Sequence, residues 1–127
     1  MLLDSNIIIY SAQPENEFLR ELIAARPPAV SGISYVEVLG YHRLGEADRR
    51  FFEDFFAEIR ILPLSQPVLD EAVRLRQTKK IELGDSLIAG TALLYDLTLV
   101  TRNVDDFSGI EGLTVLNPFA DPPSKRT

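Results

Sequence analysis

An apolar run interrupted by a single acid opens the chain, and no other feature limits the fold as much. Residues 1–3 and 7–10 are apolar, and Asp4 stands between them. Leu and Ile side chains without polar alternation are typical of a strand covered on both faces, as at the centre of a parallel sheet. Ligands collect at the carboxyl ends of such strands, so Asp4 is placed for chemistry. Asp4 is equally a good N-cap for a helix that begins with residues 7–10, and both roles can hold together.

Apolar periodicity along the remaining chain predicts alternating helices and strands. Helices are expected at residues 15–25, 34–44, 46–60 and 65–78, with a last helix opening at residues 83–85; strands are expected at residues 29–31, 61–64, 97–101 and 113–116. Ser34 and Glu37 have the spacing of a capping box, and Leu69 and Val73 are expected to face the core. Strands that alternate with helices imply a parallel sheet with right-handed crossovers, so the predicted fold class is α/β.

One domain at residues 1–118 is expected, because 127 residues with 46% hydrophobic content suffice for a real core. The proline-containing residues 119–127 are expected to form a disordered tail. The chain has no cysteine, which excludes disulfides, thiolate metal sites and cysteine nucleophiles and favours a cytoplasmic location. No apolar run approaches the ~20 residues that span a bilayer, and no basic region precedes an apolar leader, so no membrane role is expected.

The net charge of −6 argues against a protein that binds nucleic acid through an overall positive field. A nucleic-acid substrate would need a local cation to offset the acids, and a metal ion is the obvious candidate. Among the basic side chains, Arg43 and Arg102 could contact a phosphate backbone, although each could equally be a solvated charge or part of a surface ion pair. Arg102 is the better placed of the two, because it adjoins the acid pair Asp105-Asp106.

Acids recur beside apolar elements at four places. They are Asp4, Glu37, Asp85 and the pair Asp105-Asp106. The carboxyl ends of parallel strands share one edge of a sheet, so acids that are distant in sequence can converge there. Clustered carboxylates repel one another unless a cation neutralises them, and an all-oxygen ligand set suits Mg²⁺ or Mn²⁺. Any one of these acids could instead be a helix cap or a solvated charge, but four together favour a metal site.

Four short motifs follow one another along the chain. They are Asp4-Ser-Asn6, Tyr35-Val-Glu37, Leu83-Gly-Asp85-Ser-Leu-Ile-Ala89 and Leu99-Val-Thr-Arg-Asn-Val-Asp-Asp-Phe107. Each motif alone is weak, but the ordered set is fairly specific and resembles the PIN domain family, and within it the VapC ribonuclease toxins. The resemblance covers residues 1–118. It implies a three-layer α/β/α fold with a central parallel sheet of about five strands, Mg²⁺-dependent RNA cleavage and inhibition by a cognate antitoxin.

The same resemblance assigns the acids their roles. The catalytic acids fall on Asp4, Glu37, Asp85 and Asp106, and the ion would be held by Asp4, Asp85, Asp106 and Asn103. Many relatives carry an acid where this chain has Asn103, so Asn103 and Asp106 are retained together and Asp105 is less favoured. The number of bound ions, one or two, stays open.

Four further side chains are expected to support the acids. Asn6 and Thr101 would orient the carboxylates from outside the ligand set. Arg102 and Arg43 would contact the RNA backbone. The expected cofactor is Mg²⁺, with Mn²⁺ as a substitute, and the expected substrate is RNA.

Two other classes of protein also carry acids at strand ends. A receiver-like signalling module binds Mg²⁺ there, but it has adjacent acids after its first strand and a lysine after its last. Here Asp4 stands alone, and no lysine occurs between Lys80 and Lys125. A catalytically degenerate PIN-like binding domain is the second alternative, and the retained Asp4, Glu37 and Asp85 argue against it.

An aromatic helix predicts partners. Phe51, Phe52, Phe55 and Phe56 offer more apolar surface than one small domain is expected to bury. Together with the resemblance, this surface predicts a homodimer and a groove near the acids that binds an antitoxin segment.

Overall fold

Five short strands form the sheet of the computed structural model, which describes residues 1–120. The strands are β1 (Leu2–Leu3), β2 (Ala29–Ser31), β3 (Arg60–Leu62), β4 (Leu99–Val100) and β5 (Val115–Leu116). All neighbouring pairs are parallel, and the order across the sheet is β3-β2-β1-β4-β5. The central strand is β1, in which Leu2 is paired with both Ala29 and Leu99. The predicted α/β fold with about five parallel strands is confirmed.

Helices cover both faces of this sheet. They are α1 (Ser5–Ser11), α2 (Glu17–Ala25), α3 (Gly32–Leu39), α4 (Glu46–Glu58), α5 (Gln66–Thr78) and α6 (Leu83–Tyr95), with 3₁₀ turns at Pro14–Asn16 and Val104–Phe107. Successive strand residues point to opposite faces. Leu2 therefore packs in one core with Ile88 of α6, whereas Leu3 packs in a second core with Ile7 of α1 and Val38 of α3. Full burial of such a side chain contributes about 1.5 to 3 kcal/mol, which fixes β1 between the two layers.

The first strand is shorter than the opening apolar run. It ends at Leu3, and residues 7–10 lie in α1, so a strand interpretation of those residues is wrong. Asp4 occupies the N-cap position of α1 with an extended backbone, but its side chain makes no capping hydrogen bond. The expectation that Asp4 both ends a strand and precedes a helix is therefore confirmed. Its carboxylate is left to other partners.

The start of α3 differs from the predicted capping box. The helix begins at Gly32, and its N-cap is Ser31, whose Oγ accepts a hydrogen bond from Ile33 N–H at 3.3 Å. Ser34 lies inside the helix and is buried, so it cannot be the cap. The helix also ends at Leu39 rather than near residue 44.

The outer face of α5 carries two apolar side chains that are exposed. Leu69 and Val73 are 39% and 54% exposed, so the expectation that they face the core is wrong. Val68, Ala72 and Leu75 occupy the buried stripe. A period of 3.6 residues places Leu69 and Val73 beyond the edge of that stripe.

The chain after β5 is described as far as Ala120. Pro118 is buried, and the half-buried ring of Phe119 packs edge-on against Tyr10 and Phe18. The rest of the predicted tail, residues 121–127, lies outside the described residues. Within residues 1–120, no helix combines the length and hydropathy needed to cross a membrane.

Candidate functional site

Asp4 is a buried acid at the carboxyl end of the central strand. It is 4% exposed, and its Oδ2 accepts a hydrogen bond from Thr101 Oγ1 at 2.8 Å. Thr101 directly follows β4, the neighbour of β1 in the sheet, so the two strand ends bring the pair together. Burial raises the pKa of Asp4, an effect that the Thr101 hydroxyl opposes and that the nearby charges of Glu37 and Asp106 increase. The predicted orienting contact of Thr101 is present.

Glu37 reaches the site from α3 and is held by two serines. Ser5 Oγ donates to Glu37 Oε1 at 2.6 Å, and the Ser5 and Ser34 hydroxyls are hydrogen-bonded at 2.8 Å. Because each hydroxyl has one proton, Ser5 donates to Glu37 and accepts from Ser34. Glu37 lies in the second turn of α3, since the helix begins at Gly32, and the expected first-turn position is wrong.

The first turn of α6 brings Asp85 next to Glu37. A Cβ on Gly84 would lie 2.6 Å from Glu37 Oε2, so any larger residue would force this carboxylate to move. Burial raises the pKa of Asp85 to about 6, and the charges of Asp4, Asp106, Glu37 and Glu82 add to the shift. Glu37 and Asp85 are therefore close neighbours at one helix N-terminus.

Asp106 completes the cluster from the 3₁₀ turn after β4. Its charge raises the pKa of both Asp4 and Asp85, whereas Asp105 is not among the acids that raise them. Lys79, at the end of α5, holds this turn by donating from Nζ to the Ser108 carbonyl at 2.7 Å and to the Asp106 carbonyl at 3.5 Å. The choice of Asp106 over Asp105 as the fourth acid stays a prediction.

The remaining predicted residues are exposed side chains around the acids. Asn103 donates its backbone N–H to Thr101 Oγ1 at 3.1 Å, while its side chain is exposed. Asn6 is exposed on α1. Arg43 lines a groove that also contains Glu37, and Arg102 lines a concavity shared with Asn103 and Asp106.

Four residues at the site were missed by reasoning from the sequence. They are Ser5, Ser34, Gly84 and Lys79. Ser5 lies inside the Asp4-Ser-Asn6 motif, and Gly84 immediately precedes Asp85. Both positions could therefore have been found from the sequence as neighbours of predicted site residues. Ser34 has the spacing of a helix cap, which hides its role at the site. Lys79 contacts a loop 29 residues away, and no pattern near Lys79 in the sequence indicates that contact.

The donor chemistry of the cluster fits a hard divalent cation. All the side-chain donors are carboxylate or amide oxygens, and the raised pKa values of Asp4 and Asp85 reflect burial together with a mutual repulsion that a cation would relieve. Within residues 1–120, no three acidic or histidine side chains are close enough to form a ready-made ion cage. Glu37 and Asp106 are exposed side chains, and Glu37 is hydrogen-bonded to Ser5 through only one of its two carboxylate oxygens. Of the four acids, only Asp4 is buried.

Comparisons with known proteins agree with the fold and extend over most of the chain. The family model for the PIN domain matches residues 1–113. Ribonuclease VapC10 of Mycobacterium tuberculosis (strain CDC 1551 / Oshkosh) is 34% identical over 130 residues, which cover 96% of this chain and 95% of that protein. The similarity to this ribonuclease therefore extends over most of the chain.

Solved structures give the same result. A toxin-antitoxin complex from Klebsiella pneumoniae contains a chain that is 33% identical, with a TM-score of 0.74 and coverage of 92% of this chain and 96% of that one. VapBC2 from Rickettsia felis, bound to a DNA fragment from its promoter, is 25% identical, with a TM-score of 0.75 over 91% and 96% of the two chains. The chain belongs to the PIN domain family and is a homologue of the VapC ribonucleases.

Proposed function

We propose that the protein is an endoribonuclease toxin that uses Mg²⁺, or Mn²⁺, to cleave RNA phosphodiester bonds and is neutralised by a cognate antitoxin. The observation that carries the proposal is a group of four acids from separate segments beyond the carboxyl ends of the strands. Asp4 follows β1, Asp106 lies in the turn after β4, and Glu37 lies against the first turn of α6, which carries Asp85. The 34% identity to a ribonuclease supports the choice of RNA as substrate. We place the activity in the cytoplasm, since a cysteine-free chain suits a reducing compartment.

Each acid has a distinct task in this proposal. Asp4, Asp85 and Asp106, with Asn103 beside them, would hold the ion. When bound, a divalent ion offsets the charge of the phosphate and lowers the pKa of a coordinated water. Asp4 is fixed by Thr101 and is suited to anchor the arrangement. Glu37 has one oxygen bonded to Ser5 and is exposed, so it can accept a proton from the attacking water.

The test is cleavage of a labelled single-stranded RNA by purified protein. Cleavage is expected with Mg²⁺ or Mn²⁺, none is expected in EDTA, and readdition of the ion should restore it. Asp85→Asn, which removes charge but almost no volume, should be inactive. His42→Ala is the control, because His42 is exposed and contacts Tyr41 rather than the acids. Cleavage by wild type that persists in EDTA would overturn the metal mechanism.

The two alternative functions make different predictions. The receiver-like module is not favoured, because the matched family is the PIN domain and Asp4 has no adjacent acid. A degenerate binding domain would bind RNA or a protein partner without cleaving. In that case the wild type and Asp85→Asn would be equally inactive with every divalent ion, and expression of the wild type would not arrest growth.

We also propose that an antitoxin segment binds beside the acids. The groove next to Glu37 is lined by apolar side chains, among them Ile9 and Tyr41, which are 39% and 52% exposed. The presence of related chains in toxin-antitoxin complexes supports this assignment. Tyr41→Asp should weaken co-purification with an antitoxin encoded next to the toxin, while Leu94→Asp, at an exposed apolar position on α6, should not. Equal capture by the two variants would contradict the groove.

The proposed homodimer would use other apolar surface. The aromatic helix α4 buries Phe52 and Phe56 and leaves Phe51 and Phe55 half-buried in a cavity against α2, so less of it is exposed than the sequence suggested. Leu69 and Val73 on α5 are better candidates for a contact between subunits, because both are exposed. Light scattering at high protein concentration tests the proposed dimer, and a protein that stays monomeric would contradict it.

A further inference from the structure

The rings of Tyr10, Phe18 and Phe119 form an aromatic platform, and the guanidinium group of Arg102 stacks on it. The guanidinium carbon of Arg102 lies 4.2 Å from the centroid of the Phe119 ring and 5.3 Å from that of Tyr10. Phe119 is itself fixed edge-on by Tyr10 at 5.4 Å and by Phe18 at 5.2 Å. Its backbone N–H donates to Asn117 Oδ1 at 3.0 Å. The platform thus joins α1, α2 and the segment after β5.

Arg102 stands next to the acids without pairing with them. It follows Thr101, which holds Asp4, and it lines a concavity together with Asp105 and Asp106. Yet within residues 1–120 its guanidinium forms no ion pair and donates no hydrogen bond. Stacking on an aromatic ring and pairing in an exposed ion pair are of similar strength. The platform therefore competes with the acids for this side chain and keeps its N–H edge available.

We infer that Phe119 is a positioning residue that holds the Arg102 guanidinium beside the acidic cluster as a binding site for a backbone phosphate of the RNA. The planar guanidinium can bind a phosphate through two parallel N–H groups while one face stays on the ring. A chain with a net charge of −6 needs such a fixed local cation near its acids. The inference rests on the proposed function, since it assumes an RNA substrate.

The alternative is a purely structural role, in which Phe119 only anchors the end of the chain. That role predicts a loss of stability when the ring is removed, but no specific coupling to Arg102. A double-mutant cycle separates the two roles, because residues that act through each other give non-additive effects.

The cycle is measured by fluorescence anisotropy with a labelled single-stranded RNA 12-mer, in an Asp85→Asn background so that the probe stays intact. Phe119→Leu keeps apolar bulk but removes the π face, and it should weaken binding about three- to tenfold. Arg102→Ala should weaken binding at least as much, and the double variant should be no worse than Arg102→Ala alone. Phe119→Tyr retains a ring and should bind like the parent. Additive losses, or an unchanged affinity for Phe119→Leu, would overturn the inference.

Two further measurements keep the inference testable if Phe119→Leu folds poorly. Arg102→Lys preserves the charge on an exposed side chain but loses the flat stacking surface, so it should bind nearly as weakly as Arg102→Ala. Binding equal to the parent would show that charge alone suffices and would overturn the role of Phe119. The Arg102 Nε–H and Cδ–H NMR signals of the wild type should carry a ring-current shift that Phe119→Tyr retains. A wild-type protein that binds RNA in this manner without cleaving it would refute the proposed function but not this inference, whereas no RNA binding would refute both.

Discussion

Thr101 Oγ1 donates a 2.8 Å hydrogen bond to Asp4 Oδ2 across 97 residues of sequence. The two residues follow the neighbouring parallel strands β4 and β1, so the bond ties the carboxyl ends of these strands together. Asp4 is 4% exposed and Thr101 is fully buried. The Thr101 hydroxyl favours the ionised form of this buried carboxylate, and little water is available to replace it.

Thr101→Val keeps the shape of the side chain and removes the donor. We expect the pKa of Asp4 to rise further, the free energy of unfolding to fall by about 1 to 3 kcal/mol, and the Mn²⁺ affinity to fall about ten- to hundredfold. Urea denaturation and calorimetry measure the two losses. Thr101→Ser retains a hydroxyl and is the control. A Val variant with the metal affinity of the wild type would show that the bond does not orient Asp4.

Gly84→Ala should move Glu37 without unfolding the protein. The new Cβ would lie 2.6 Å from Glu37 Oε2, and a flexible carboxylate can yield where backbone could not. We expect kcat/KM for RNA cleavage to fall roughly ten- to hundredfold, the cost of a misplaced reacting group. The free energy of unfolding should change by no more than about 1 kcal/mol. Gly45→Ala is the control, since a Cβ there meets nothing within 4 Å; equal activities of the two variants would contradict the tight fit.

Single alanine variants show how much each acid contributes to cleavage activity. Asp4→Ala and Asp85→Ala should each abolish metal-dependent cleavage and relieve growth arrest, because each removes an ion ligand. Asp106→Ala should cost more activity than Asp105→Ala, since Asp106 is the acid whose charge acts on Asp4 and Asp85. If the Asp105 and Asp106 variants lose activity equally, the assignment of the fourth acid is too narrow.

The class of fold follows from the sequence because it depends on local patterns. Alternating apolar segments predict parallel strands, and the carboxyl ends of such strands lie on the same side of the sheet, so Asp4 and Thr101 were expected on that side. That they touch depends on β1 and β4 being neighbours. Asp85 at a helix start was also readable, since it lies in the first turn of α6. Both features can be predicted from the periodicity of the apolar residues and from the rule that alternating strands and helices form a parallel sheet.

Contacts between distant segments could not be predicted in this way. Ser34 has the spacing of a capping box, but its hydroxyl points to Ser5 in the interior, and the cap is Ser31. Whether a serine caps a helix or bonds across a core depends on what packs against it, which periodicity does not report. Phe119 likewise looked like part of a tail until Tyr10 and Phe18 supplied its partners.

The raised pKa of Asp85 predicts a dependence of stability on pH. A carboxyl group with a higher pKa in the folded state than in the unfolded state binds more protons when folded, so its ionisation lowers the free energy of unfolding as pH rises. For Asp85 this loss spans pH values from 3.8 to about 6. In EDTA, wild type should therefore lose more stability between those values than Asp85→Asn does, as measured by urea denaturation. An identical pH dependence of the two proteins would contradict the shift.

Saturating Mn²⁺ should reverse this loss above pH 6. The ion binds ionised carboxylates of the folded protein, so it stabilises that state by mass action. The gain should shrink on acidification through about 6, where Asp85 takes up a proton. Thermal unfolding with and without Mn²⁺ at several pH values measures this gain in stability. An equal gain in Asp85→Asn would show that Mn²⁺ binds at another site.

Isothermal titration calorimetry with Mn²⁺ tests most directly whether the acids form a metal site. Wild type should give a saturable heat, and Asp4→Asn combined with Asp85→Asn should abolish it while circular dichroism shows an intact fold. The near-isosteric asparagines remove charge without opening a cavity, so lost heat reports lost ligands. No saturable heat with the wild type, or an undiminished heat with the double variant, would contradict the account.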